Sequence, residues 1–329
     1  VVTDTRQTSP QAQGLTDDSV VYFNGRLQPL RFATVSVATH CLHYGTGCFE
    51  GIRAYWSPED EELYVLKLRE HVDRLFRSCA VLRIALPLSP AEICDVILSV
   101  ARKNSYRADV YIRPIAFKSS RTIKLTLSAL EDSFAVFAFP FGHYAHRDGG
   151  LQMCLSAWRR IDDTAIPTRA KVAGSYVNAA LASDDAHLDG YDEALLLSAN
   201  GTLSEASSAN VFLVRSGELI TPPLSENILE GITREAVIEL ARRELGLQVH
   251  ERAIGRTEVY LADEVFLTGT GVQVEPVTSV DRRLIGSGEP GPITTRLASL
   301  YAAAVRRKIP AYASWCTPVY GHQQFTGAH

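Results

Sequence analysis

Short strand signals and helical stripes alternate along this chain in two blocks, and that alternation admits few architectures. In the first block, Val20-Val21-Tyr22-Phe23 reads as a strand entering a tight turn at Asn24-Gly25. Leu63 to Leu68 reads as another strand, and Val72, Leu75, Phe76 and Cys79 then share one helical face. Ser89-Pro90-Ala91-Glu92 has the form of a capping box with proline at the first helical position. Ile93, Val96, Ile97 and Val100 continue as the buried stripe of that helix. Val110 to Phe117 and Phe134 to Phe139 are further strands. A glycine-bearing polar stretch over 141–150 breaks the pattern and reads as a linker. Beyond it, strands are expected near 151–157, 193–199 and 210–214, with helices near 174–188, 231–245 and 293–308 and a hairpin turn at Asn200-Gly201. The expectation is an α/β (α+β) protein in two domains with its site between them. The divisions are a flexible arm over 1–18, a small domain over 19–140, the linker, a larger domain over 151–310 and a tail over 311–329.

Composition removes several function classes. With 33 basic and 37 acidic residues the formal net charge is −4, which gives no electrostatic footprint for nucleic acid or an anionic membrane. No apolar run approaches the roughly 20 residues that span a bilayer. The first 18 residues lack an apolar core of the export type. Six cysteines form neither a CxxC pair nor a zinc spacing and read as reduced thiols, so a cytoplasmic location is expected. His40/His43 and His143/His146 stand three apart without an HExxH frame, and no metal is expected. Gly286-Ser-Gly-Glu-Pro-Gly291 fits a dinucleotide motif formally, but Glu289 and Pro290 suit neither a pyrophosphate nor a strand-to-helix turn.

The basic residues are six lysines and 27 arginines. Lys67, Lys103, Lys118, Lys124 and Lys308 have ordinary solvated readings. Lys171 differs, because it lies among small residues in Ile166-Pro-Thr-Arg-Ala-Lys-Val-Ala-Gly-Ser-Tyr176 at the entry to a helix. A lysine that condenses with an aldehyde must lose its proton part of the time and needs room for a planar ring. Glu205 follows a turn and precedes an apolar strand. An acid in that position can keep a pyridinium nitrogen protonated, or serve as an N-cap or turn carboxylate. Leu229-Glu-Gly-Ile-Thr-Arg-Glu235 opens a helix whose free amides suit a phosphate. Lysine, acid and helix start together point to pyridoxal phosphate.

The chain resembles the branched-chain amino-acid aminotransferases of the class IV (fold-type IV) pyridoxal-phosphate enzymes, from about Tyr22 to about Leu300. The resemblance rests on His43-Tyr-Gly-Thr-Gly-Cys-Phe-Glu-Gly-Ile-Arg53, Glu70-His-Val-Asp-Arg-Leu75, Tyr111-Ile-Arg-Pro114, Ile166 to Tyr176, Ser204-Glu205, Gly231-Ile-Thr-Arg234 and Asp263-Glu-Val-Phe-Leu-Thr-Gly-Thr270. It implies that Lys171 holds the cofactor and shuttles the proton between Cα and C4′. Glu205 would pair with the pyridine nitrogen and Tyr176 with the phenolic oxygen. Arg74, Ile232, Thr233 and Thr270 would hold the phosphate, Ile232 through its amide. Tyr111 and Arg113 would line the pocket, the arginine receiving glutamate's distal carboxylate, with Phe49 and Tyr144 as apolar wall. The turn Thr270-Gly271-Val272 would take the α-carboxylate. Arg53 would support the pocket entrance, and Tyr44 would reach toward a neighbouring subunit, which implies a homodimer or larger assembly. The implied reaction is a ping-pong transfer between branched-chain L-amino acids and 2-oxoglutarate.

Four departures bear on substrate. Ala206-Ser-Ser-Ala209 stands where a glycine-rich segment is usual, closer to D-amino-acid aminotransferases and aminodeoxychorismate lyases. Gly271-Val272 replaces a pair of small residues, Phe141 a tryptophan, and Gly174-Ser175 a glycine-asparagine pair. The alternatives are therefore an unusual 2-oxo acid of a specialised pathway, or one of those two related activities.

Overall fold

The computed structural model describes residues 14–142 and 147–321. The first block forms β1 (Val20–Phe23), β2 (Arg26–Pro29), the short helix α1 (His40–Tyr44), β3 (Gly47–Phe49), β4 (Ile52–Ser57) and β5 (Glu62–Leu66). Helices α2 (Leu68–Val81) and α3 (Pro90–Asn104) and strands β6 (Val110–Lys118) and β7 (Asp132–Pro140) complete it. The second block opens with β8 (Leu151–Arg159), α4 (Tyr176–Leu188), β9 (Glu193–Leu197), β10 (Leu203–Ala206), β11 (Asn210–Arg215) and β12 (Glu218–Thr221). It continues through α5 (Ile232–Leu245), β13 (Val249–Glu251), β14 (Glu264–Gly269), β15 (Gln273–Val280), β16 (Arg283–Leu284), α6 (Pro292–Ala304) and β17 (Cys316–Pro318).

Two sheets result, in the mixed α/β class that the alternation implies. The first runs β17-β5-β4-β6-β7-β1-β2, with β3 also paired to β6, and its pairings are antiparallel. The second runs β10-β9-β8-β15-β14-β11-β12-β13, with β8 parallel to both neighbours. Helices α2 and α3 cover the first sheet, burying Val72, Leu75 and Cys79 with Ile93, Ile97 and Val100 against Ile52 and Ile112. Phe76 and Val96, expected in that stripe, are only partly buried and pack at its edge. Helices α5 and α6 cover the second sheet over the stacked rings of Phe212 and Phe266, 5.0 Å apart. That core continues into the first sheet through Tyr55, Tyr64 and Leu66. No helix of the described residues is long and apolar enough to cross a membrane.

Several boundaries differ from the sequence reading. Strand β5 ends at Leu66, because Lys67 turns into the left-handed region at φ 44° and its amide bonds Trp315 O at 2.6 Å. The helix expected near 174–188 begins at Tyr176, after a 3₁₀ turn over Ala173–Ser175. After α6 the chain returns to the first sheet, where β17 pairs with β5. The buried Glu62 carboxylate accepts amides from Val319, Tyr320 and Gly321 at 2.7–3.0 Å and fastens that return.

Candidate active site

Lys171 is held by backbone bonds on both sides. Its amide donates to Ser78 Oγ on α2 at 3.0 Å, and its carbonyl accepts from Phe49 N on β3 at 3.1 Å. Two glycines permit this approach. At Gly45 (φ 63°) a Cβ would fall 2.7 Å from the Cα of Gly174, so the loops before β3 and α4 meet backbone to backbone. The lysine side chain then reaches into a cavity of about 570 Å³. There Nζ donates to Tyr176 Oη at 2.6 Å and stands 5.1 Å from the centre of the Phe49 ring.

Glu205 lies in the cavity wall on β10, inside a strand rather than at a turn or a helix cap. Its carboxylate receives Arg160 Nη2 at 2.8 Å, Asn210 Nδ2 at 2.8 Å and Leu229 N at 3.1 Å. Burial pushes this carboxyl above its ordinary range, while Arg160 and the Leu229 amide pull it back. Arg160 and Asn210 were not singled out from the sequence. Asn210 opens the strand expected near 210–214, but its role is not marked there, and nothing local to Arg160 signals its own.

The start of α5 forms the next wall. Gly231 is its N-cap, no side chain caps it, and Gly231, Ile232 and Thr233 line the cavity. A Cβ at Gly231 would fall 1.9 Å from Asn210 Oδ1, so glycine is what the close contact allows. The contrast with α6 is informative. There the Glu264 carboxylate takes the amides of Ile293 and Thr294 at 3.0 and 2.7 Å, so the helix that follows Gly286–Gly291 has little left for an anion. Arg74 on α2 also lines the cavity, with Nη1 donating to Glu230 O at 2.7 Å and the Glu50 carboxylate behind it.

Part of the cavity wall is aromatic. Tyr111 packs against Phe139 and Phe141 at 5.6 and 5.1 Å. Arg113 lies over the Phe49 ring at 4.3 Å and donates to Tyr111 Oη at 2.9 Å, while its Nε is buried without a partner. Thr270, Gly271 and Val272 form the hairpin turn between β14 and β15 and line the same cavity. The Thr270 hydroxyl donates to Gly51 O at 3.0 Å. Arg53, almost fully buried, donates to Gly271 O at 3.3 Å and to Gly142 O at 2.7 Å, tying that turn to the end of the first block. Ser207 and Ser208 of the departing segment also line the cavity. Of the residues singled out from the sequence, Tyr44 is not in this wall. It is 37% exposed, and its hydroxyl donates to Ile123 O at 2.6 Å. Tyr144 lies outside the described residues.

Comparison with known proteins gives the same reading independently. The model of the amino-transferase class IV family matches residues 47–280. A probable branched-chain-amino-acid aminotransferase of Aquifex aeolicus is 47% identical over 301 residues, 91% of this chain and 96% of that one. The branched-chain aminotransferase of Thermoproteus uzoniensis, solved with norvaline, superposes with a TM-score of 0.88 at 41% identity, covering 92% of this chain and 99% of that one. The branched-chain amino acid aminotransferase of Thermobaculum terrenum, solved in its PLP-form, gives 0.88 at 38% identity, again covering 92% and 99%. Cavity, fold and likeness agree, and the chain belongs to the class IV aminotransferases, among the branched-chain-amino-acid aminotransferases of fold type IV.

Proposed function

We propose that this enzyme moves the amino group of branched-chain L-amino acids to 2-oxoglutarate in two half-reactions at one site. Its cofactor is pyridoxal 5′-phosphate, as in the Thermobaculum terrenum enzyme solved in its holo-form. The observation that carries the reading is one cavity holding a lysine, a buried carboxylate and an uncapped helix start. That donor set suits the cofactor: an amine for an aldehyde, an acid for a ring nitrogen, and amides with an arginine for a phosphate.

When bound, the cofactor supplies an aldehyde that takes up nitrogen and a ring that accepts the electron pair released at Cα. Lys171 is the residue to hold that aldehyde and, once free, to carry the proton between Cα and C4′. Tyr176, 2.6 Å from Nζ, is placed to donate to the phenolic oxygen. Glu205 is to hold the proton on the ring nitrogen, with Arg160 favouring its charged form against the effect of burial. Ile232 N, Thr233, Arg74 and Thr270 are to receive the phosphate. Phe49, Tyr111 and Phe141 exclude water from the reacting end.

One pocket must accept an aliphatic side chain and a carboxylate in turn. Arg113 does both if its aliphatic stem and the Phe49 face bound the apolar space while its unpartnered Nε–H awaits an anion. The turn 270–272 is to take the α-carboxylate through its amides. We assign β1 to β7 with α2 and α3 to a domain over 19–140 and the second sheet with its helices to one over 151–310, the tail over 311–329 adding β17 to the edge of the first sheet. Tyr44 is exposed together with Leu42 on α1 and with Ile123, whose carbonyl its hydroxyl bonds, which supports a second copy covering this face in a cytoplasmic homodimer.

The experiment is incubation of the holoenzyme with L-leucine, L-valine or D-alanine and 2-oxoglutarate, following glutamate and oxo-acid release. L-Leucine and L-valine are expected to react and D-alanine to fail. Preference for D-alanine would assign the site to the D-amino-acid branch instead.

A further inference from the structure

Behind Arg74 stands a pair of groups that the reaction itself does not use. Glu50, immediately after β3, is fully buried, and His71 on α2 is 2% exposed. Glu50 Oε1 receives Arg74 Nε at 2.7 Å, and Oε2 receives Arg74 Nη2 at 2.8 Å and His71 Nδ1 at 2.8 Å. Burial alone would push the Glu50 carboxyl up, but Arg74 and His71 hold it far below the ordinary range. Burial holds His71 below its ordinary value, and because an ionised carboxylate only accepts, the 2.8 Å contact puts a hydrogen on Nδ1. Neither Glu50 nor His71 lines the cavity.

We propose that Glu50, braced by His71, is a positioning residue that fixes the plane of the Arg74 guanidinium and thereby presents it to the cofactor's phosphate. The proposal rests on the reading of Arg74 as a phosphate ligand. A guanidinium carries five N–H groups. Two are taken by Glu50 and one by Glu230 O, which leaves one hydrogen on Nη1 and one on Nη2 for an anion. The sequence motif follows from this. Phe49-Glu50-Gly51 places an apolar ring, a clamp and a glycine in three consecutive positions, and a Cβ at Gly51 would strike Tyr111 Oη at 2.0 Å. The carboxylate's charge also repels a phosphate, which opposes the clamp. Ordering is the larger effect, because two charge-assisted bonds fix the guanidinium and Arg74 would keep only Glu230 O without Glu50.

The test compares apoenzyme affinities for pyridoxal 5′-phosphate and for pyridoxal, which differ only in the phosphate. In Glu50→Gln the ratio of the two affinities is expected to fall about tenfold or more, with pyridoxal binding retained as proof of an intact fold. Arg74→Ala is expected to collapse the same ratio, and adding Glu50→Gln to it to change the ratio no further. If glutamine at position 50 prevents folding, Glu50→Asp, which keeps the charge but withdraws it by one methylene, is read the same way. His71→Asn, which leaves the Glu50–Arg74 pair in place, is expected to lower the ratio less than either. An unchanged or higher ratio in a folded Glu50 variant, beside a collapsed one in Arg74→Ala, would overturn the clamp. An unchanged ratio in Arg74→Ala would instead overturn the phosphate reading beneath it.

Discussion

Arg113 carries the substrate problem in one side chain. Its guanidinium has an aromatic face on one side, a hydrogen bond to Tyr111 and a buried Nε–H with no acceptor. A buried donor without a partner costs stability, and a ligand oxygen can relieve that cost. Arg113→Ala is therefore expected to weaken 2-oxoglutarate by about 1.5–3 kcal/mol, roughly tenfold to a hundredfold in kcat/KM. For 4-methyl-2-oxopentanoate, which has no distal charge, the loss should be small. Equal losses for both acceptors would show that Arg113 does not read the distal carboxylate. Arg160 is the counterpart that local sequence could not reveal. It is one of 27 arginines, and only the fold brings it within 2.8 Å of Glu205 from a position 45 residues away.

At the scale of elements, the start of α5 is where local sequence and function meet. Gly231→Ala would drive a methyl group into Asn210, which also donates to Glu205. The expected result is weaker cofactor binding and lower turnover with α5 itself preserved, read by cofactor titration and far-UV circular dichroism. Unchanged affinity would mean that the close approach of Gly231 has no bearing on the site. This helix is legible because its stripe Ile232, Ala236, Val237 and Leu240 follows the helical period and a glycine precedes it. The capping box at Ser89 is legible for a similar reason, and both of its bonds form. Strands β4, β14 and β15 escape a reading from sequence. Ile52–Ser57 and Glu264–Thr268 are buried on nearly every residue and lack period-two alternation, and unlike the equally buried β5, β9 and β11, which carry four consecutive apolar residues, each has a run of only three. Lys171, Glu205 and the helix start suggest a cofactor, but their convergence depends on the bonds from Lys171 to Ser78 and Phe49, which no local pattern encodes.

At the scale of the molecule, the buried charges make stability depend on pH. His71 is held below its ordinary value of 6.5, chiefly by burial and against the pull of Glu50. Below that value the unfolded chain takes a proton that the folded chain refuses, so this contribution is full above pH 6.5 and is lost as pH falls through the lowered folded value. Glu50 acts in the same direction at lower pH, its contribution being full above 4.5 and lost as acid finally protonates it. Denaturant titration of the apoenzyme should therefore show wild type losing more stability than His71→Phe on going from neutral pH to about pH 5.5, by at most about 1.4 kcal/mol per pH unit. Identical slopes for the two proteins would mean that His71 titrates alike in the folded and unfolded chains.

The whole account turns on Lys171 as the point of covalent attachment. Borohydride reduction of the holoenzyme, followed by proteolysis and mass spectrometry, reads this directly. A pyridoxyl adduct on the peptide containing Lys171, and on none of the other five lysines, is the expected result. An adduct confined to another lysine, or a cofactor-supplied enzyme that turns over with none at position 171, would contradict it.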